Sequence, residues 1–213
     1  MSDQVSKYFD RHAASWVKHY RQPDLALRLF DAVFRRGLRR RWDIMMKYAL
    51  PARRKTFLDI GCGTGDYCFA LIQDGAEAVT GVDFAPGMVE LSRRAATELE
   101  VEDRCQFVLG DFADVEFAQR FDVVFAMGVF DYVEDYTPFW LKMVSLTRGI
   151  VIASFPTYVI PRAPIRRLRY RWKRLPVYFY SREQLDELGR APGLKYFVIE
   201  PYPAGLALIG FIQ

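Results

Sequence analysis

The chain has 213 residues, 51% of them hydrophobic, which suits one globular domain with a sizeable core. Its cysteines, Cys62, Cys68 and Cys105, are too few for a disulfide framework and lack the CxxC spacing of a zinc site. The N-terminus MSDQVSKYFDRH has no apolar signal core, and no apolar run approaches the roughly 20 residues that span a bilayer. We therefore expect a cytoplasmic protein without a metal site, in contact with the inner membrane surface at most peripherally.

The net charge of +4 is concentrated in one segment. Between Arg162 and Arg174 the chain has seven basic residues and no acidic one, so the rest of the chain carries a net charge of −3. A second basic cluster contains Arg35, Arg36 and the run 39–41. Two such clusters suit an anionic lipid-like substrate, an anionic membrane or a nucleic acid. No nucleic-acid-binding module is recognisable, which makes nucleic acid the less favoured partner.

Residues 4–48 have apolar side chains at spacings of three and four, which predicts two or three helices ahead of the main domain. Gly37 weakens this pattern in its middle, and Pro51 ends it. We expect residues 1–50 to form an N-terminal helical lid on a single domain that covers 1–213.

After Pro51 the pattern changes to short apolar runs that alternate with helical segments. Strands are predicted at 55–60, 78–83, 105–111, 121–128 and 149–155, and helices at 66–74, 86–99 and 138–146. This alternation predicts an α/β fold with right-handed crossovers, a mostly parallel sheet and helices on both faces.

The last third of the chain begins with a Pro-rich basic stretch, 156–180, which we interpret as an insertion on the substrate side. Ser181 and Gln184 then form the capping box of a helix. The segments 195–202 and 206–213 are predicted to be strands joined by a Pro-Ala-Gly turn, and hence an antiparallel pair.

The glycine loop Gly61-Cys62-Gly63-Thr64-Gly65 lies where the first predicted strand meets a helix, at the edge where open α/β sheets bind ligands. Glycines let the backbone turn sharply and let a ligand approach without meeting a Cβ. The third glycine comes one position too early for a dinucleotide binder. Asp59 and Asp66, which flank the loop, would repel a pyrophosphate but suit a ligand with an ammonium and a sulfonium group.

Acidic residues also follow the next two predicted strands. Asp83 stands 24 residues after Asp59, where a carboxylate can accept both ribose hydroxyls. Asp111 follows the third strand, within reach of an adenine amino group. An adenine can pack against the apolar residues beside these acids, Phe84, Met88 and Phe112. The fourth strand ends around Met127, near the methionine part of such a ligand.

Four motifs in the correct order and spacing resemble those of the class I S-adenosylmethionine-dependent methyltransferases. They are Asp59 with the glycine loop, the ribose acid Asp83, the adenine acid Asp111, and Phe121-Asp122-Val123-Val124-Phe125. The resemblance covers most of the chain and implies a Rossmann-like sheet of seven strands with an antiparallel last strand. It also implies S-adenosyl-L-methionine as cofactor.

Within that family, Tyr8-Phe9-Asp10-Arg11 with Trp16 is similar to the lid of methyltransferases that act on quinones, sterols and related lipids. The resemblance implies that Tyr8 closes over the methionine part of the cofactor, although core packing explains it nearly as well. The layout after the fifth strand also resembles magnesium-protoporphyrin O-methyltransferases, by analogy rather than residue by residue.

Candidate catalytic residues are few, because methyl transfer from a sulfonium depends mainly on positioning. Where many relatives have a histidine after the fourth strand, this chain has Asp131 and Tyr132. Asp131 can act as a base or orient a substrate, with helix capping as the competing interpretation, and Tyr132 can hydrogen-bond the acceptor. His12 is a third candidate base, although an isolated histidine is more often a packing or surface residue.

The resulting hypothesis is a methyltransferase for a small, anionic or amphipathic acceptor, such as a lipid-like molecule, a quinone or a tetrapyrrole, methylated on oxygen or nitrogen. Alternatives are a non-catalytic binder of the cofactor that docks a partner through its basic surface, and an RNA methyltransferase. An NAD-dependent oxidoreductase is disfavoured by the glycine spacing.

Overall fold

A computed structural model describes residues 5, 7, 8, 10, 28–158, 164, 168 and 175–212, with the backbone alone for 28–36. Within them, helices α1 to α5 cover Arg28–Ala49, Asp66–Gln73, Pro86–Glu98, Tyr136–Ser145 and Arg182–Gly189. Strands β1 to β7 cover Thr56–Ile60, Ala78–Asp83, Cys105–Leu109, Phe121–Ala126, Thr147–Pro156, Tyr196–Tyr202 and Gly205–Phe211.

The strands form one seven-stranded sheet in the order β3-β2-β1-β4-β5-β7-β6. Strands β1 to β5 are parallel, and β7 runs antiparallel to both β5 and β6. The predicted fold class is confirmed, including the antiparallel last strand. Because the strand order reverses between β1 and β4, a crevice opens there at the carboxyl ends of the strands.

The central strands are buried on both faces, as parallel sheets require. Leu58 and Val124 belong to one apolar cluster, while their neighbours Phe57 and Phe125 belong to a second, and all four are fully buried. Helices α4 and α5 supply side chains to the first cluster, and α1, α2 and α3 supply the second. The short apolar runs of the sequence are therefore strands covered by helices on both faces.

Helix α1 is continuous through Gly37, where the sequence predicts a weak point. A Cβ added to Gly37 would lie 3.6 Å from the Cβ of Ala204, an ordinary van der Waals distance, so the helix packs beside the β6–β7 turn at this point. The helix ends at Ala49, just before Pro51, as predicted. Its last turn is fastened to β6, because Lys47 Nζ and the Tyr48 hydroxyl both hydrogen-bond to the carboxylate of Glu200. The remaining N-terminal helical prediction falls mostly outside the described residues.

The predicted element boundaries differ from the observed ones mainly at the carboxyl ends of strands. Strand β3 ends at Leu109 and β4 at Ala126, two residues earlier than predicted, because Gly110 and Gly128 turn the chain away from the sheet. The capping box of α5 is confirmed: Ser181 Oγ accepts from the amide of Gln184 at 3.3 Å.

A charged pair holds the opposite, amino-terminal edge of the sheet. Arg148 donates to both carboxylate oxygens of Asp122, at 2.7 and 2.9 Å, and the amide of Thr56 donates to the same carboxylate at 2.7 Å. These bonds, with Arg148 first, lower the pKa of Asp122 to about 2. Asp122 thus ties β1, β4 and β5 together at the edge of the sheet opposite the carboxyl ends of the strands.

Candidate cofactor and acceptor site

The glycine loop adopts a conformation that other residues disfavour. Gly61, Gly63 and Gly65 have φ angles of +70°, +54° and +83°. A Cβ on Gly61 would lie 2.5 Å from Val129 Cγ2, and one on Gly65 would lie 2.9 Å from Phe107. A Cβ on Gly63 would meet no atom within 4 Å. The loop is therefore packed at its two ends and open in its middle, where a ligand can contact the backbone.

Asp83 at the end of β2 is 7% exposed and joins this loop to the next helix. Its Oδ2 accepts from the amide of Gly63 at 2.9 Å, and its Oδ1 accepts from the amide of Ala85 at 2.9 Å. Burial raises the pKa of Asp83, and these hydrogen bonds oppose the rise. A carboxylate at the end of this strand, next to the open middle of the loop, suits a ribose diol.

Asp59 lies deeper, in β1, and is 2% exposed. The Cys68 thiol donates to its Oδ2 at 3.3 Å. Burial raises the pKa of Asp59 to about 8, so the carboxyl is largely protonated at neutral pH until a cation arrives.

Cys62 contributes packing rather than reactivity. A Cβ on Gly81 would lie 2.8 Å from Cys62 Sγ, so this side chain covers strand β2. Burial raises the pKa of the Cys62 thiol well above its usual range, and a protonated thiol is a poor nucleophile. Any contact of Cys62 with a ligand must come from its backbone.

The residues predicted for the adenine differ in their exposure. Phe84 and Asp111 are half-buried, and the Asp111 carboxylate accepts from the amide of Ala113 at 3.1 Å. Met88 and Phe112 are buried. The Phe112 ring centroid lies 4.8 Å from that of Phe139, so Phe112 belongs to the apolar core.

Two residues that sequence reasoning did not assign to the site, Arg41 and Ser154, contact the turn after β4. Gly128, which follows Met127, has a φ of +96°, and its amide donates to Ser154 Oγ at 2.8 Å. A Cβ on Gly128 would lie 2.5 Å from Nη1 of Arg41, so this guanidinium lies against the turn. From the sequence alone, Arg41 is interpreted only as a member of a basic cluster. Its position three and four residues before the buried pair Ile44 and Met45 is the signal that places it on the packed face of α1.

The loop after Gly128 carries the predicted catalytic pair. Asp131 is 5% exposed, and its carbonyl oxygen accepts from the amide of Tyr178 at 3.0 Å. Tyr132 is half-buried. The Tyr180 hydroxyl donates to the carbonyls of Phe130, at 3.0 Å, and Val133. The segment 175–180, which directly follows the basic run, is therefore fastened to the loop that carries Asp131.

Among the described N-terminal residues, Asp10 contacts the helix that follows Asp83. Val5 is fully buried and Tyr8 is half-buried. Asp10 Oδ1 accepts from the amide of Gly87 at 2.9 Å, in the first turn of α3. Ala85, the N-cap residue of α3, supplies no side-chain bond, so Asp10 serves as the cap. The other predicted residues of this region, His12 and Trp16, lie outside the described residues, as do the arginines of the run 162–174.

The described part of the chain has no group of three or more His, Cys, Asp or Glu side chains placed to hold a metal ion. None of its helices is long and apolar enough to cross a membrane.

Comparison with known families settles the class. Residues 52–160, just over half of the chain, match the family described as "Methyltransferase domain". The chain belongs to the class I S-adenosylmethionine-dependent methyltransferases. The matched range contains β1 to β5, the glycine loop, Asp83 and the Asp131 loop of this methyltransferase.

Three relatives of the chain are named for different activities. It is 31% identical over 106 residues to a malonyl-[acyl-carrier protein] O-methyltransferase of Acetivibrio thermocellus, covering 49% of this chain and 36% of that protein. It is 34% identical to a ubiquinone biosynthesis O-methyltransferase of Methylobacterium nodulans, covering 64% and 55%. It is 30% identical to a tRNA U34 carboxymethyltransferase of Pasteurella multocida, covering 42% and 28%. The chain thus matches between 28% and 55% of the length of these relatives.

The fold also matches a solved structure over nearly its whole length. The magnesium protoporphyrin IX methyltransferase of Synechocystis with bound SAH superposes with a TM-score of 0.76, covering 98% of both chains at 18% identity. At this identity the likeness shows a common fold.

Proposed function

We propose that the protein transfers the methyl group of S-adenosylmethionine to an oxygen or nitrogen of a small, anionic or amphipathic acceptor. One observation supports the proposed class of acceptor. The basic run 162–174 leads directly into 175–180, and that segment is bonded to the loop of Asp131 at the carboxyl edge of the sheet. Basic side chains beside an acceptor site favour acceptors with carboxylate or phosphate groups.

The cofactor fits the residues of the crevice. The open backbone at Gly63 and the two oxygens of Asp83 suit the ribose, and Asp111 suits the adenine amino group. Asp59 lies where it can compensate the ammonium. We assign Arg41 to the carboxylate of the methionine part, because its guanidinium lies against the turn at Gly128.

The acceptor chemistry needs little from the protein beyond alignment and removal of one proton. The bound cofactor supplies a methyl carbon already activated by a positive sulfur. The acceptor oxygen or nitrogen forms the new bond to carbon while the carbon–sulfur bond breaks, and that electron pair stays on sulfur. We propose that the Asp131 carboxylate takes the acceptor's proton and that Tyr132 orients the acceptor. His12 remains the second candidate for the base.

We propose that residues 1–50 act as a lid. The support is the bond from Gly87 to Asp10, because α3 begins just after Asp83 and the N-terminal residues therefore reach the cofactor side of the sheet. Tyr8, two residues before Asp10, is the proposed contact with the methionine part. On this proposal residues 156–180 form the substrate-side insertion.

Peripheral contact with an anionic membrane forms the second part of the proposal. Leu168 lies inside the basic run and is 70% exposed, and Tyr158 just before the run is 55% exposed. Basic side chains interspersed with exposed apolar ones suit a membrane surface with negative lipids. An amphipathic acceptor would then be taken directly from that surface.

A methyl-transfer screen with radiolabelled cofactor tests the acceptor class. The panel holds quinols, carboxylated tetrapyrroles, phospholipid headgroups and acyl-carrier thioesters, with neutral analogues of each. We expect transfer only to anionic members, reduced when Arg166, Arg167, Arg169 and Arg171 are changed to Gln. The matched control changes four exposed arginines elsewhere, Arg54, Arg94, Arg104 and Arg190. Equal transfer to neutral analogues would contradict the proposal.

The similarity to a tRNA carboxymethyltransferase keeps RNA as a second candidate acceptor. Transfer to unmodified tRNA in the same screen, with none to small molecules, would favour it. The third candidate, a non-catalytic binder of the cofactor, predicts binding without transfer to any acceptor.

A further inference from the structure

We infer that Ser154 is a positioning residue for the methionine end of the cofactor, acting through the amide of Gly128. This inference rests on the proposed placement of the methionine part beside the turn after β4. Ser154 itself lies in the interior of β5 and is 1% exposed, so it acts from behind the turn rather than by contact with the ligand.

The position of Ser154 is fixed on both sides by the sheet. Its neighbour Ala153 pairs with Ala126, the last residue of β4, and Ser154 pairs with Ala207 of β7. Its hydroxyl therefore stands one residue beyond the end of β4, where the chain turns away. The amide of Gly128 donates to that hydroxyl at 2.8 Å.

This bond selects the direction of the turn. Gly128 has left the sheet at a φ of +96°, so its amide can no longer join a strand ladder and needs another acceptor. Ser154 supplies it. The same orientation directs the Cα of Gly128 towards the Arg41 guanidinium, whose Nη1 would lie 2.5 Å from an added Cβ. Ser154 thus fixes the turn at Gly128, which follows Met127 and lies against the Arg41 guanidinium, the group proposed to bind the methionine carboxylate.

Removing the hydroxyl leaves the amide without an acceptor, which favours a different turn. In Ser154→Ala the methionine end of the pocket loses its geometry, whereas Asp83 and Asp111 keep theirs, because they belong to β2 and to the segment after β3. The variant should then bind a ligand that contains the amino-acid part less tightly, and should bind a ligand without that part as before. A general loss of folding would weaken both.

Calorimetry with two ligands separates these outcomes. S-adenosylhomocysteine carries the amino-acid part and 5′-methylthioadenosine lacks it. We expect Ser154→Ala to reduce the affinity for S-adenosylhomocysteine on the order of tenfold and to leave the affinity for 5′-methylthioadenosine unchanged. Ser154→Cys, with a weak acceptor of similar size, should behave in the same way. Ser154→Thr, which keeps the hydroxyl and suits a strand, should restore most of the affinity.

Ser92→Ala is the matched control, because Ser92 is also fully buried but bonds only the Val89 carbonyl of its own helix. It should leave the ratio of the two affinities unchanged. Equal effects of Ser154→Ala on both ligands, or an effect on neither, would overturn the inference. If the unaltered protein binds 5′-methylthioadenosine but not S-adenosylhomocysteine, the proposed methionine site itself is wrong, and this inference falls with it.

Discussion

The carboxylate of Asp83 accepts a 2.9 Å hydrogen bond from the amide of Gly63, which joins the end of β2 to the middle of the glycine loop. Gly63 is also the loop position where an added Cβ would meet no other atom. One buried acid therefore shapes the loop at its open position. Because Asp83 is 7% exposed, little water competes for its two oxygens.

Replacing this acid should weaken binding of the whole nucleoside. We expect Asp83→Asn to reduce the binding free energy of S-adenosylhomocysteine and 5′-methylthioadenosine alike by about 1.5–3 kcal/mol, because both ligands contain the ribose. Calorimetry measures both values. Asp114→Asn, at an exposed acid beyond β3, is the control. Unchanged affinity in Asp83→Asn would remove this residue from the ribose site.

Substitution of Arg41 should weaken binding of only one of these two ligands, whereas substitution of Asp83 should weaken binding of both. Arg41→Gln removes the charge proposed to bind the methionine carboxylate, so the affinity for S-adenosylhomocysteine should fall by about tenfold or more. The affinity for 5′-methylthioadenosine should not change. Arg39→Gln, on the exposed side of the same helix, is the matched control. Parallel losses for both ligands would contradict the assignment.

Asp59 should release a proton when the cofactor binds. Its pKa of about 8 in the free protein means that the carboxyl is mostly neutral at pH 6.5. The ligand's ammonium favours the ionised form, so binding lowers this pKa, releases a proton, and strengthens as pH rises from 6 towards 7. Calorimetry at pH 6.5 in buffers of different ionisation enthalpy counts the proton. Asp59→Asn should abolish the release; release that persists in this variant would assign the proton to another group.

Asp122 should matter for stability and not for binding. Because its pKa is depressed to about 2, its contribution is fully present above about pH 4 and is lost as pH falls towards 2. We expect Asp122→Asn to reduce the free energy of unfolding at pH 7 by about 1–3 kcal/mol, measured by urea titration. The difference from the unaltered protein should shrink as pH falls. A large loss of cofactor affinity at full folding would contradict the structural role.

The sequence predicts the strands well because they depend on short-range patterns, and the proposed cofactor acids are marked by the same patterns. A buried parallel strand is a run of apolar residues, and the acids Asp59 and Asp83 sit at or next to strand ends that glycines and helix starts mark. The predicted ends of β3 and β4 lie two residues beyond the observed ones, because glycine is compatible with either a strand or a turn until its neighbours are known.

Contacts between distant segments were not predictable in the same way. Arg41 reaches Gly128 only because α1 crosses the sheet, and Asp10 reaches Gly87 across 77 positions. Ser154 looks like any polar residue near a strand end until β4 lies beside it. Each of these contacts is created by packing, and no local pattern in the chain marks it.

Calorimetric titration of the purified protein with S-adenosylmethionine, with NAD as the control ligand, tests the central claim most directly. A cofactor pocket built on Gly63 and Asp83 predicts saturable micromolar binding of S-adenosylmethionine and none of NAD. Binding of NAD, or of neither ligand, would contradict the assignment of this pocket.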